Sequence, residues 1–260
     1  MHPLMNIAIK AARSASKTIL RATDRLDTIK ITEKNHNDFV TDIDQQAEQE
    51  IINTIHNAYP DHAIFGEESG KSGESEYTWI IDPIDGTTNF LHGHPHFCIS
   101  IGVQFKNIIE HGLIYDPLRQ ELFTATRGTG AFLNDRRMRV AQRKQFAGSV
   151  IASGFGNKTI KNIDIYLKIL AAILPQAAGT RRSGSAALDF AYVACGRIDG
   201  FWEMNLAPWD MAAGSLIVKE AGGIVDEFSG NGNFMETGNV IAGNQHIFNL
   251  ISQIVKAKKS

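Results

Sequence analysis

Leu4, Ala8, Ala11, Ala15 and Ile19 recur at three- and four-residue intervals, which predicts an amphipathic helix over the first ~20 residues. A polar stretch from Thr32 to Asp38 follows and reads as a connection. Ile43, Ala47, Ile51 and Ile55 then form the buried stripe of a second helix, with Thr41 and Asp42 as N-caps and Tyr59-Pro60-Asp61 as its stop. From there the period changes. Short β-rich runs, Ala63 to Phe65, Thr78 to Ile81, Phe97 to Phe105, Ile108 to Tyr115 and Glu121 to Ala125, are separated by polar or turn-forming segments. These segments are the loop Lys71 to Glu76, the turn Arg127-Gly128-Thr129-Gly130 and the turn Asn134-Asp135. The first half therefore reads as two helices against an antiparallel sheet.

In the second half strands alternate with helices. Strands are expected at Ser149–Ala152, Gly200–Met204, Ile224–Asp226 and Val240–Ala242. Helices are expected at Asp164–Leu174, Ser185–Ala194, Asp210–Ala221 and Ile247–Val255, with Gly196 and Gly222-Gly223 as C-terminal stops. The class is α/β, of the layered α+β kind. Residues 140–148 carry Arg and Gln without an apolar stripe, which divides one domain into two packed lobes, 1–145 and 146–260.

Composition narrows the function classes. The 260 residues are 43% hydrophobic and 21% charged, with a net charge of −2, so neither disorder nor a basic nucleic-acid surface is expected. Cys98 and Cys195 read as free thiols, and neither opens the C-x5-R loop of a cysteine phosphatase. Lys10, Arg13 and Lys17 interrupt the N-terminal apolar positions, which excludes a signal peptide reading, and no apolar run is long enough to cross a bilayer. The expected location is the cytoplasm.

Acidic residues gather where strands end: Glu67 and Glu68 after one, Asp82 and Asp85 after another, and Asp210 at a helix start. Carboxylate oxygens alone suit a hard cation such as Mg²⁺ better than Zn²⁺. If Asp82 ends a strand, Gly86-Thr87-Thr88-Asn89 is placed to open a helix whose N–H groups would cradle a phosphate beside those cations. Taken singly, Asp210 and Asp44 read as helix caps, Asp44 completing a capping box with Thr41. The cluster Asp82-Pro83-Ile84-Asp85-Gly86-Thr87 is harder to explain that way.

Three segments carry a resemblance: Gly66-Glu67-Glu68-Ser69, Trp79-Ile80-Ile81-Asp82-Pro83-Ile84-Asp85-Gly86-Thr87-Thr88-Asn89-Phe90, and Trp209-Asp210-Met211-Ala212-Ala213-Gly214. Together with Ala221-Gly222-Gly223, Asp38 to Asp44 and Tyr115-Asp116-Pro117, they resemble the signatures of the inositol monophosphatase family. Asn37 to Asp42, Phe123 to Gly128 and Arg181 to Ala187 are most similar to its bacterial SuhB-type branch. The resemblance implies the alternating αβαβα sandwich of that family and of the fructose-1,6-bisphosphatase-like sugar phosphatases.

It also implies roles. Glu67, Asp82 and the Ile84 carbonyl would hold one Mg²⁺, and Asp82, Asp85 and Asp210 a second; a third, weaker ion would lie near Glu67. Mn²⁺ would substitute and Li⁺ would inhibit. Thr87 and Asp44, assisted by Glu67, would activate a water; Gly86 and Thr87 would hold the phosphate; Ser185, Ala186 and Glu203 would line the alcohol side, with Asp85 and Asp210 also touching substrate. Lys34 falls where the family carries a lysine. The implied reaction is hydrolysis of a small phosphomonoester, first of all myo-inositol monophosphate, by in-line attack of an activated water. Fructose 1,6-bisphosphate, histidinol phosphate and adenosine 3',5'-bisphosphate stand as alternatives. The branch further implies homodimerisation and a regulatory role in ribosomal RNA transcription through protein partners in the transcription machinery.

Rival motifs fit poorly. Asp42-Ile43-Asp44 lacks the apolar strand and the following Thr or Val of an aspartyl-phosphate-forming D-x-D. In His92-Gly93-His94-Pro95-His96 the Gly and Pro make a loop, read as solvated and near the pocket rather than as a zinc site. Glu203 sits on an apolar strand and is expected to meet either substrate hydroxyls or Arg181 or Arg182.

Overall fold

The computed structural model describes residues 2–26, 29, 31–35, 38–156 and 162–259. Helix α1 (Pro3–Thr23) starts at His2, whose Nδ1 accepts from the Leu4 N–H at 3.2 Å, and buries Leu4, Ala8, Ala11, Ala15 and Ile19. Strands β1 (Ile31–Asn35) and β2 (Asp38–Thr41) form an antiparallel hairpin where the sequence reads as a polar connection. Helix α2 (Asp42–His56) buries Ile43, Ala47, Ile51 and Ile55 as expected.

An eight-stranded sheet follows, formed by β3 (Ala63–Gly66), β4 (Gly70–Ser72), β5 (Tyr77–Asp85), β6 (Cys98–Phe105), β7 (Ile108–Asp116), β8 (Glu121–Thr126), β9 (Gly130–Leu133) and β10 (Arg136–Arg137), with short helix α3 (Thr87–Leu91) between β5 and β6. Its order is β10-β9-β8-β7-β6-β5-β3-β4, and only the β3–β5 pair is parallel. A second sheet, of order β12-β11-β13-β15-β14, uses β11 (Val150–Gly154), β12 (Gly179–Arg181), β13 (Gly200–Glu203), β14 (Ile224–Asp226) and β15 (Val240–Gly243). The helices of this half are α4 (Ile163–Ile173), α5 (Ala186–Ala194), α6 (Pro208–Glu220), α7 (Phe234–Thr237) and α8 (Gln245–Lys259).

Three cores stack these elements into five layers. α1 and α2 cover one face of the first sheet through Ile19, Ile51, Trp79, Ile99 and Leu113. α5 and α6 fill the space between the sheets, where Phe190, Ala213 and Ile217 meet Ile114, Phe123, Phe201 and Ala242. α4 and α8 close the far face through Tyr166, Ile169, Ile247 and Ile251 against Trp202 and Ile241. This is the αβαβα sandwich.

The sandwiched elements have lost one-sided patterning. β6 is buried from Cys98 to Val103 because helices lie on both faces. α6 buries every residue from Met211 to Val218, since it touches sheet on two sides. Its close approach to β6 and β7 depends on two glycines. A Cβ on Gly102 would sit 2.8 Å from the Ala212 Cβ, and one on Gly112 would sit 2.7 Å from the Ala213 carbonyl oxygen. That approach carries the start of α6, and with it Asp210, to the end of β5.

Candidate active site

The site begins with a β-bulge. β5 pairs Asp82 with Ser100 and Asp85 with Cys98, so three steps along β5 match two along β6. In a regular strand residues three apart face opposite sides; the extra residue turns Asp85 to the side of Asp82. Pro83, with no N–H to donate, lies inside the bulge. Oδ1 of Asp82 accepts from the Ile84 N–H at 3.0 Å, fixing the carboxylate against its own backbone.

Asp210 arrives from α6. Its Oδ2 accepts from the Ala207 N–H at 2.7 Å, as the third helical residue capping its own helix start. The Trp209 carbonyl accepts from Ser100 Oγ at 3.2 Å, which ties that helix start to β6. Asp82, Asp85 and Asp210 thereby offer oxygens within 4.8 Å of one another. Asp210 is both cap and member of the cluster. Asp44 also does two things. It closes the capping box with Thr41 through Oδ2, at 2.8 Å from the Thr41 N–H and 2.5 Å from the hydroxyl, and its Oδ1 accepts from Thr87 Oγ1 at 3.2 Å. The Ile84 carbonyl lies 3.1 Å from the same Thr87 hydroxyl.

Burial raises the Asp82 carboxyl well above the usual range, and the negative charges of Glu67, Asp85, Asp210 and Asp44 push the same way. Asp85 is raised by burial too, against the opposing effect of its donors. Those donors converge on Oδ2: Ser185 Oγ at 2.6 Å, the Ala187 N–H at 2.7 Å and the Cys98 thiol at 3.8 Å. The thiol therefore lies closer than the sequence suggests. Burial, then the charge of Asp85, keeps it protonated, so it acts as a donor and leaves an all-oxygen set. Buried like charges with their remaining lone pairs turned together fit a hard divalent cation.

Gly86 has φ 101°, and a Cβ there would lie 3.0 Å from the His96 carbonyl oxygen and 3.2 Å from that of Gly184. Asn89 Nδ2 donates to the His96 carbonyl at 2.7 Å and the Ser183 carbonyl at 2.9 Å. These contacts join α3 to the N-terminus of α5, where Ser185 is the N-cap.

Beside the cluster lies a cavity of about 170 Å³ whose walls include Asp85, Arg182, Ser185, Asp189, Glu203 and Asp210. Glu203, 8% exposed, makes no hydrogen bond or ion pair with described residues. Arg181 instead donates to the Thr180 carbonyl at 3.0 Å, and Arg182 donates to the Phe155 carbonyl at 2.9 Å with its guanidinium 4.7 Å from the Phe155 ring. Glu203 is raised well above its ordinary value by burial, then by Asp189 and Asp85, with Arg182 opposing.

The structure thus brings Asp44, Asp82, Ile84, Asp85, Gly86, Thr87 and Asp210 to one end of β5, with Ser185, Ala186 and Glu203 at the adjoining cavity. Glu67, directly after β3, has its N–H on the Ile81 carbonyl at 3.0 Å, and its charge acts on Asp82. Lys34 lies on β1, and its side chain falls outside the described residues, as does Asn37. His92 and His94 are exposed, but His96 is buried against Tyr192, with ring centroids 5.9 Å apart, so the loop is solvated only in part. Among described residues no histidine joins a metal-holding group. Sequence reasoning missed Glu48, Asp189 and Cys98. The signal for Asp189 was an acid inside the apolar run Ala186–Ala194.

The sequence profile of the inositol monophosphatase family matches residues 1–259. The chain belongs to that family. Among relatives, it is 51% identical over 254 residues to the Nus factor SuhB of Pseudomonas aeruginosa, covering 95% of this chain and 94% of that protein. The Nus factor SuhB of Escherichia coli is 48% identical over 249 residues, covering 95% and 93%. Among solved structures of the family, the extragenic suppressor protein suhB of Bartonella henselae superposes with a TM-score of 0.95 at 42% identity, covering 98% of this chain and 99% of that one. The inositol monophosphatase of Thermotoga maritima gives 0.90 at 33%, covering 99% and 98%.

Proposed function

We propose that this member of the inositol monophosphatase family is a Mg²⁺-dependent phosphatase acting on small phosphomonoesters, with myo-inositol monophosphate as the leading substrate. The observation that carries the reading is the meeting of Asp82, Asp85 and Asp210 within 4.8 Å, next to the Thr87–Asp44 hydrogen bond. Glu67, Asp82 and the Ile84 carbonyl would hold one ion, and Asp82, Asp85 and Asp210 the next. Bound divalent cations would supply charge for the phosphate oxygens and lower the pKa of a water.

The protein's own residues do the rest. The Thr87 hydroxyl has two acceptors in reach, Asp44 Oδ1 at 3.2 Å and the Ile84 carbonyl at 3.1 Å; with that carbonyl turned to a cation, Thr87 would direct its proton to Asp44 and keep lone pairs free to accept from the attacking water. Burial raises Asp44, which makes it a better proton acceptor than an exposed carboxylate. The N–H groups of Gly86 and Thr87 would face the phosphate. On the alcohol side, Glu203 and Asp189 are buried acids that need donors, and the hydroxyls of a polyol supply them. A substrate panel tests this. Release should be greatest from inositol monophosphates and lower from fructose 1,6-bisphosphate, histidinol phosphate and adenosine 3',5'-bisphosphate. Equal rates across the panel would remove the polyol assignment.

The names of the curated relatives favour a second role, contact with the transcription machinery as a Nus-type factor, which this chain would exert through protein partners. Among described residues no helix is long and apolar enough to cross a membrane. Both roles would be exercised in the cytoplasm. Loss of ribosomal RNA transcription on deletion, restored by Asp82→Asn, would separate this role from catalysis.

A further inference from the structure

Asp44 and Glu48 lie one helical turn apart on the same face of α2, and both are buried, at 1% and 2% exposure. Asp44 meets Thr87 on α3. Glu48 reaches the other side of the site. Its Oε2 accepts from the Glu68 N–H at 3.0 Å and its Oε1 from the Ser69 N–H at 2.7 Å. The turn that carries Glu67 is therefore gripped twice, by the Ile81 carbonyl on the Glu67 N–H and by Glu48 on the next two N–H groups. The fit is close: a Cβ on Gly66 would lie 2.5 Å from Glu48 Oε2 and 2.6 Å from Oε1.

We infer that Glu48 is a positioning residue for metal binding, holding the Glu67 turn at the distance from Asp82 that a shared cation requires. This inference rests on the reading of Glu67 and Asp82 as cation ligands. Two charge-assisted bonds from one buried carboxylate are strong and directional. A glutamine at this position keeps the shape but not the function. Its one carbonyl oxygen accepts a single N–H, while its NH₂ faces the other N–H, donor against donor. Partners that orient metal ligands are typically worth about 10–100-fold in metal affinity.

The test is Mn²⁺ binding to Glu48→Gln, read by electron paramagnetic resonance, with Mg²⁺ half-saturation of phosphate release measured in parallel. The expected result is a loss of Mn²⁺ affinity of about tenfold or more and an equal rise in the Mg²⁺ requirement, with kcat at saturating Mg²⁺ within about threefold of wild type. Gly66→Ala displaces the same carboxylate without changing its charge and should show the same split; it carries the test if Glu48→Gln fails to fold. A folded Glu48→Gln with wild-type metal affinity overturns the inference, as does a lowered kcat with unchanged affinity. Wild-type protein that binds no Mn²⁺ would instead overturn the reading of the site itself.

Discussion

The metal-free cluster should be a source of instability that a single amide removes. Asp82, Asp85 and Asp210 bring oxygens within 4.8 Å. At an effective dielectric constant of about 20, two unit charges so placed repel by roughly 3.5 kcal/mol. Asp82→Asn removes one charge and keeps the Oδ1 acceptor for the Ile84 N–H. Since proton uptake already relieves part of the repulsion, we expect a gain of about 1–2 kcal/mol in chelator, or roughly 3–6 °C in Tm. Wild type should instead be stabilised by Mg²⁺, by about 2.7 kcal/mol for one site at a hundredfold excess over Kd, or roughly 5–10 °C, and the variant should lose that response. The pH dependence has a definite sign. The folded pKa values of Asp82 and Asp85 are raised, so their cost is absent below the unfolded carboxylate range near pH 4 and grows as pH rises toward the folded values. The Mg²⁺ shift should therefore be larger at pH 7.5 than at pH 5. Differential scanning fluorimetry with EDTA or Mg²⁺ at both pH values measures all of this. An Asp82→Asn protein that melts lower in EDTA and keeps the full Mg²⁺ shift would refute the reasoning.

Glu203→Gln should raise KM for inositol phosphate several-fold and spare p-nitrophenyl phosphate, which has no hydroxyls to bind; equal losses on both with a lowered Tm would assign Glu203 a structural role. Li⁺ should inhibit turnover where K⁺ does not, and a kinetic series with no response to Li⁺ would count against a lithium-sensitive second site. Light scattering should give twice the chain mass of 28.6 kDa, and a monomer mass at micromolar concentration would rule out the expected homodimer.

What the sequence made legible follows the range of the forces involved. α1 and α2 were readable because each buries one stripe, and the start of α3 because Gly86-Thr87 after a strand is a local signal; β5 itself runs through Pro83 to Asp85, past the Ile81 end that the pattern predicts, because the bulge keeps it paired with β6. The hairpin β1–β2 and the edge strands β4, β10 and β12 were not, since most of their residues are polar or glycine, whereas the equally short β13, β14 and β15 are mostly apolar. The bulge that aligns Asp82 with Asp85 depends on β6 and leaves no mark on β5 beyond Pro83. Glu48 holds N–H groups 20 and 21 residues away, a relation no spacing rule exposes. His96 shows the reverse error. Its loop is rich in Gly and Pro, yet tertiary packing against Tyr192 buries the ring, and burial lowers its pKa to about 4.

The central claim is that the carboxylates around β5 act through a divalent cation to hydrolyse a phosphomonoester. The direct measurement is phosphate release from myo-inositol 1-phosphate by purified wild type and Asp82→Asn, each in EDTA and in Mg²⁺. The account predicts turnover only for wild type with Mg²⁺, and loss of at least about a thousandfold, some 4 kcal/mol of transition-state stabilisation, in the folded variant. Undiminished release in EDTA, or from Asp82→Asn, would contradict it.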